Sequence, residues 1–259
     1  MTELVFERHV AEIVTQTELL LSTVDGADLD LPVPSCPEWT LGRLLHHIGA
    51  GHRWAARIVR SRASAPLPDS DLREGASVGP DYAERLREGA WSFRDTLLAA
   101  GPDARVWIVD GSGGTPFWAR RFCHETVVHR ADATLAVGAE FEAEREVLVD
   151  TLAEWMDLIA LPVHMTTDPA KKALLAPGRT LHFHATDVDG PDAEWTVDLT
   201  RGDRVHTRRG HEKAAVAVRG PVEDLVMALY GRSAPDGSRV EVHGDGDLLD
   251  LWLRTVRFR

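Results

Sequence analysis

The hydrophobic pattern is helical in period up to about Pro162, and beyond it alternating strand-like stretches appear, which restricts the chain to a helical part followed by a mixed part. Val5, Val10, Ile13, Leu19 and Leu20 recur at roughly helical spacing until Gly26. After SCPEWT, with Thr40 as a plausible N-cap, Leu41, Leu44, Leu45, Ile48, Ala55 and Val59 fall on one stripe of a second helix. The span from Ser61 to Pro80 is rich in Ser, Pro, Asp and Gly and reads as a long loop. A third helix is expected from Tyr82 to Ala100, a fourth from Phe117 to Val137 and a further one from Glu142 to about Ile159. Beyond residue 162 the period drops to two: Leu181, Phe183 and Ala185 alternate with polar residues, as do Trp195, Val197 and Leu199, and Ala214, Val216 and Val218. Gly220 and Pro221 open a helix through Tyr230, Val240 and Val242 form a fourth strand, and Asp247 to Val256 closes helically. The expected class is α + α/β: a helical bundle over residues 1–162 and a smaller mixed α/β domain over 163–259.

The net charge of -12 argues against a nucleic-acid partner, since that affinity comes largely from cationic side chains displacing counterions. Arg57, Arg60 and Arg62 are balanced by Asp69, Asp71 and Glu74 within a few residues. Cys36 and Cys123 are too sparse for a disulfide scaffold and fit a reducing compartment. The acidic start MTELVFERHV lacks the basic opening of a signal peptide, and no apolar run approaches the ~18 residues that span a bilayer. A cytoplasmic protein without membrane partners, monomeric or a weak homodimer, is expected. GSGGT lacks the GK(S/T) ending of a phosphate-gripping loop and reads as a turn.

At about 100° per residue, the fourth helix carries Trp118, Phe122, Glu125, His129, Ala133 and Ala136 on one stripe. Glu125 and His129 thus face the core, where an unpartnered carboxylate is costly. A shared divalent cation compensates, and carboxylate with imidazole is common zinc chemistry. The plainer alternative is a mutual hydrogen bond, or a salt bridge to Arg121. A third ligand must come from elsewhere, and the second helix offers His46, His47 and His52. There His52 lies nearest the centre of the apolar stripe, His47 toward its edge, and His46 points away, so periodicity alone favours His52, with His47 second. Asp132, one turn beyond His129, reads equally as an imidazole-orienting or a surface carboxylate. Arg130 reads as a surface or interdomain residue, and His182 and His184 as outward residues of one strand face.

CPEWTLGRLLHHIG, RRFCHETVVHRADATLAVG and YGRSAPDGSRVEVHGD together resemble the actinobacterial mycothiol-dependent maleylpyruvate isomerase family, within the wider DinB-like metal-binding bundles. The resemblance extends over nearly the whole chain. It implies a DinB-like four-helix bundle followed by a sterol-carrier-protein-like domain. It also implies a metal, most readily zinc, on His47, Glu125 and His129, with the histidine eight residues after Trp39 chosen over His52. The implied thiol cosubstrate is mycothiol, the substrate a small electrophile, and Arg232 in YGR takes a catalytic place. The activities implied are cis–trans isomerisation of a maleylpyruvate-like acid or S-transfer. A metal hydrolase activating water and a non-catalytic binding module are the alternatives from other classes.

Overall fold

The computed structural model describes residues 4–69, 79, 81–109, 113–163, 169–202, 204–232 and 239–256. The chain divides into two compact units, Leu4–Phe141 and the part from Glu142 onward.

Among the described residues the first unit is built on four helices: α1 (Phe6–Thr23), α2 (Leu41–Arg60), α3 (Tyr82–Ala100) and α4 (Thr115–Ala136). Helix α1 packs on α3 and α4, and α2 packs on the same two. Thr40 caps α2 as expected, its side chain accepting from the Arg43 amide at 3.3 Å. Upstream, a short hairpin pairs β1 (Pro32–Val33) with β2 (Cys36–Thr40). Helix α4 starts where Thr115 N donates to Ala104 O at 3.1 Å. A Cβ on the preceding Gly114 would lie 2.4 Å from that same oxygen. Only glycine allows so close a backbone approach. The first two residues of GSGGT, with Asp110 before them, and residues 70–78 and 80 of the expected 61–80 loop lie outside the described residues.

Helix α4 is buried on most of its circumference, from Trp118 to Thr134, rather than along the one stripe expected. Two polar features account for the difference. Arg130, read from the sequence as a surface or interdomain residue, is buried: its Nε donates to Gln16 Oε1 at 2.9 Å. Gln16 Nε2 in turn donates to Glu12 Oε2 at 2.8 Å, so α1 supplies a buried polar counterpart for α4. His52, favoured as a ligand by periodicity, is a core residue with no exposure. Its ring stacks on Phe93 at 6.1 Å, and its Nε2 lies 3.1 Å from Thr126 Oγ1. That hydroxyl already donates to Phe122 O at 2.7 Å, so it accepts from His52, which fixes the neutral Nε2–H tautomer.

The second unit is a five-stranded sheet of order β5-β4-β3-β6-β7, with β3 (Thr180–Ala185), β4 (Glu194–Asp198), β5 (His206–Arg209), β6 (Val216–Gly220) and β7 (Glu241–Gly244). Only β3 and β6 run parallel, and their connection holds the β4–β5 excursion. Leu181, Phe183, Val197, Val216 and Val218 are buried, and α7 (Val222–Leu229) packs on β3 and β6. Strand β5, which reads HTRR, was missed because an edge strand of polar residues carries no hydrophobic alternation. Helix α5 (Arg145–Ala160) belongs to this unit and not, as expected, to the bundle. It packs on α7 and β5, and its fully buried Trp155 meets Trp252 of α8 (Gly246–Thr255) edge to face at 5.8 Å. That burial is worth roughly 2–3 kcal/mol per large side chain, enough to fix where the helix sits. The boundary therefore falls before α5, at Phe141, and not at Pro162. A four-residue helix, α6 (Pro169–Lys172), precedes the sheet.

The environment of His52 makes the bundle acid-sensitive. Burial, helped by the Arg53 charge, lowers its pKa from 6.5 to about 3. The unfolded chain takes up this proton below about pH 6.5 and the folded chain does not, so stability is full above that value and falls as pH drops through the window. Urea unfolding of wild type and His52→Leu should show the wild type losing about 2 kcal/mol relative to the variant between pH 6.5 and 5. A pH-independent difference would remove this account.

Candidate metal centre

The apolar core of the bundle forms two clusters. One gathers around Phe93, Trp118 and Phe122, the other around Leu20, Leu44, Ile48 and Ala133. Helix α4 runs from one to the other, and Glu125 and His129 occupy the turns between. His129 Nε2 lies 3.1 Å from Glu125 Oε1, and His47 Nε2, arriving from α2, lies 3.5 Å from the same oxygen. The three donor atoms all lie within 4.8 Å of one another. Zinc bonds of about 2.0–2.2 Å in tetrahedral array place donors roughly 3.3–3.6 Å apart, so this set fits one ion with little adjustment. The expected trio is thus brought together, and His52 is not part of it.

What surrounds the trio sets its chemistry. His129 Nδ1 sits 2.8 Å from Asp132 Oδ2, and Asp132 is fully buried rather than capping or exposed. Asp132 also accepts from Ser35 Oγ at the tip of the β1–β2 hairpin. This carboxylate therefore holds the proton on Nδ1 and presents Nε2 to the other donors. His47 Nδ1 is buried and has no hydrogen-bond partner among the described residues. On the far side of Glu125, Arg121 pairs with Oε2, leaving Oε1 to face the two imidazoles. Trp39, from β2, lies against both rings, at 4.8 Å from His47 and 6.2 Å from His129.

The charges respond to one another. Burial works against ionised Glu125, but the charges of Arg121 and His129 and the hydrogen bonds to His129 and His47 more than offset it and hold the carboxyl well below its ordinary range. Burial likewise opposes a charged His129, yet Glu125 and Asp132 outweigh it and lift the imidazole to about 9. The cluster is charge-balanced as it stands: Arg121 and protonated His129 against Glu125 and Asp132. A divalent cation would take the place of the His129 proton.

Trp39 and Ser35 had not been singled out as site residues, although both stand in the SCPEWT segment; their signal is tertiary, because the hairpin that delivers them has strands too short to show a period. Arg121 was legible as the i, i+4 partner of Glu125. Arg232 lies in the second unit, just past α7, where the chain ends the helix with Gly231 at φ 72 and with Arg232 N donating to Met227 O at 2.7 Å. This is a Schellman-type C-cap. The guanidinium donates to Tyr230 O at 2.5 Å. Cys36 and Cys123 are not joined in a disulfide.

Known proteins share this architecture. The mycothiol-dependent maleylpyruvate isomerase, and a mutant of it, superpose with a TM-score of 0.61 at 15% identity, covering 93% of this chain and 95% of theirs; at that identity the likeness is one of fold. Two sequences described as DNA replication and repair protein RecF, from strains of Anaeromyxobacter dehalogenans, are 29% identical over 209 residues and 72% of this chain. The chain spans about half of their length, 54%. The profile of the mycothiol maleylpyruvate isomerase N-terminal domain matches residues 10–134, and that of the corresponding C-terminal domain matches residues 141–251. Between them these matches take in nearly the whole chain, which therefore belongs to the mycothiol maleylpyruvate isomerase family.

Proposed function

We propose that this chain is a metal-dependent enzyme that uses a low-molecular-weight thiol, mycothiol, to interconvert the cis and trans forms of a maleylpyruvate-like acid. The observation that carries the reading is the convergence of His47 Nε2, Glu125 Oε1 and His129 Nε2, with Asp132 fixing the tautomer of His129. His47, Glu125 and His129 would hold the ion, most readily zinc. Bound there, a divalent cation would supply the electrostatic pull that strips a coordinated thiol of its proton at neutral pH. Three protein donors are the number found in catalytic rather than structural zinc sites.

The chain's own groups then have defined tasks. Asp132 keeps the His129 proton on Nδ1, Arg121 holds Glu125 in place through its second oxygen, and Trp39 forms an apolar wall beside both imidazoles. In the reaction, the thiolate sulfur adds to the activated carbon–carbon double bond, whose electron pair moves onto the conjugated carbonyl. The resulting single bond rotates, and return of the electron pair expels the thiolate and leaves the trans acid. We assign Arg232 to a substrate carboxylate, the place the family resemblance gives it. The bundle is read as DinB-like and the second unit as sterol-carrier-protein-like. An S-transferase would use the same activated thiol on another electrophile, and a panel of electrophiles with and without mycothiol distinguishes the two.

Purified protein should carry one zinc in the bundle, and Glu125→Ala and His129→Ala should each lose it in elemental analysis; undiminished metal in both variants would discard the ligand set. Asp132→Asn, which keeps the shape but not the charge, should weaken zinc affinity by about 10–100-fold while the protein stays folded by circular dichroism. Unaltered affinity would show that Asp132 does not orient the ligand. In a maleylpyruvate isomerisation assay, turnover should require added mycothiol and fall to background in His129→Ala. Equal rates with and without the thiol would overturn the proposed function even if zinc is bound.

A further inference from the structure

The second unit holds another convergence of donors, built entirely on its own sheet. On the sheet face opposite Leu181 and Phe183, β3 carries His182, and the neighbouring β4 begins with Glu194. Strand β5 runs antiparallel to β4, and just beyond it Gly210 N donates to Glu194 O at 3.0 Å, which brings the next residue, His211, over the same face. His182 Nε2 lies 2.8 Å from Glu194 Oε2, and His211 Nδ1 lies 2.6 Å from the same oxygen. The rings of His182 and His211 meet edge to face at 5.1 Å, and all three donor atoms fall within 4.8 Å of one another.

His182 supplies the second observation. It is 3% exposed, and its Nε2 is buried without a hydrogen-bond partner, because the nearby Glu194 oxygen is off the axis that an N–H donor requires. A buried, unpaired ring nitrogen costs stability. An oxygen flanking that axis is, however, where a second ligand belongs when an ion lies on the axis itself, since donors around one ion stand at wide angles to each other. Widening the two short contacts to zinc spacing needs small side-chain adjustments of Glu194, whose Oε2 is common to both, and of His211, whose side chain is 78% exposed.

We propose that His182, Glu194 and His211 form a second divalent-cation site, with the two-histidine, one-carboxylate donor set suited to zinc. His182 is the buried anchor, Glu194 the bridging carboxylate and His211 the solvent-side ligand that closes on the ion. The site is independent of the bundle centre and of the reaction proposed for it. It joins three consecutive strands of one sheet edge, so its occupancy would brace the β4–β5 edge.

The test counts zinc in the full-length chain after metal stripping and reloading with zinc alone. His211→Ala changes an exposed residue and should leave the fold intact. It should bind one zinc fewer per chain than wild type, or bind the last one at least about tenfold more weakly. Glu194→Gln should behave likewise, and both should leave any zinc lost by His129→Ala in place. Identical zinc stoichiometry and affinity in wild type, His211→Ala and Glu194→Gln would overturn the proposal, whatever the bundle centre does.

Discussion

The bundle depends on a line of alternating charge drawn along a single helix. Arg121, Glu125 and His129 follow one another at intervals of four residues on α4, and Asp132 stands three further on. Each group touches the next, and each is at least partly withdrawn from water. Charges in that situation are tolerable only when paired, and removing one member leaves its neighbour buried and uncompensated. The same continuity fixes the protonation pattern: Asp132 and Glu125 each favour a charged imidazole between them, and Arg121 keeps Glu125 ionised. A segment this polar can lie inside a bundle because α2 and the β1–β2 hairpin bring His47, Trp39 and Ser35 against it. Fold and chemistry are thus one constraint at this place.

Much of this was legible in the sequence, and the reason is local. Glu125, His129 and Arg121 lie within one helix, where spacing alone dictates which side chains meet. The four bundle helices, the cap at Thr40 and most strands were also readable, because periodicity and capping chemistry act over a few residues. What escaped notice depends on contacts distant in sequence. His52 sits on the apolar stripe more centrally than His47, and a helical wheel rewards it; only the presence of Phe93 and Thr126 beside it shows that it serves packing. Arg130 looks like a surface cation until Gln16 appears, 114 residues earlier, as its partner. Helix α5 follows the bundle directly in sequence, and only Trp252, nearly a hundred positions later, claims it for the other unit.

The two histidine clusters show how different scaffolds reach similar donor sets. In the bundle, a helix supplies two donors one turn apart and a second helix supplies the third. In the sheet, neighbouring strands place His182 and Glu194 side by side through pairing register, and the chain returning past β5 adds His211. Helical spacing leaves a sequence trace in the form Glu-x-x-x-His. Strand pairing leaves none, since the register that unites its members is set by the whole sheet. That contrast explains why the strand histidines read from the sequence as ordinary outward residues.

Gly114 seats the first turn of α4 against the Ala104 carbonyl, with no room there for a side chain. Because Arg121, Glu125, His129 and Asp132 ride on the same rod, any rotation or slide of that rod carries them together and leaves their mutual bonds untouched. The distances that would change are those to His47 and Ser35, which belong to other segments. The start of the helix is accordingly a tuning peg: a shift there would change the aperture between the donors of α4 and His47 from more than two helical turns away.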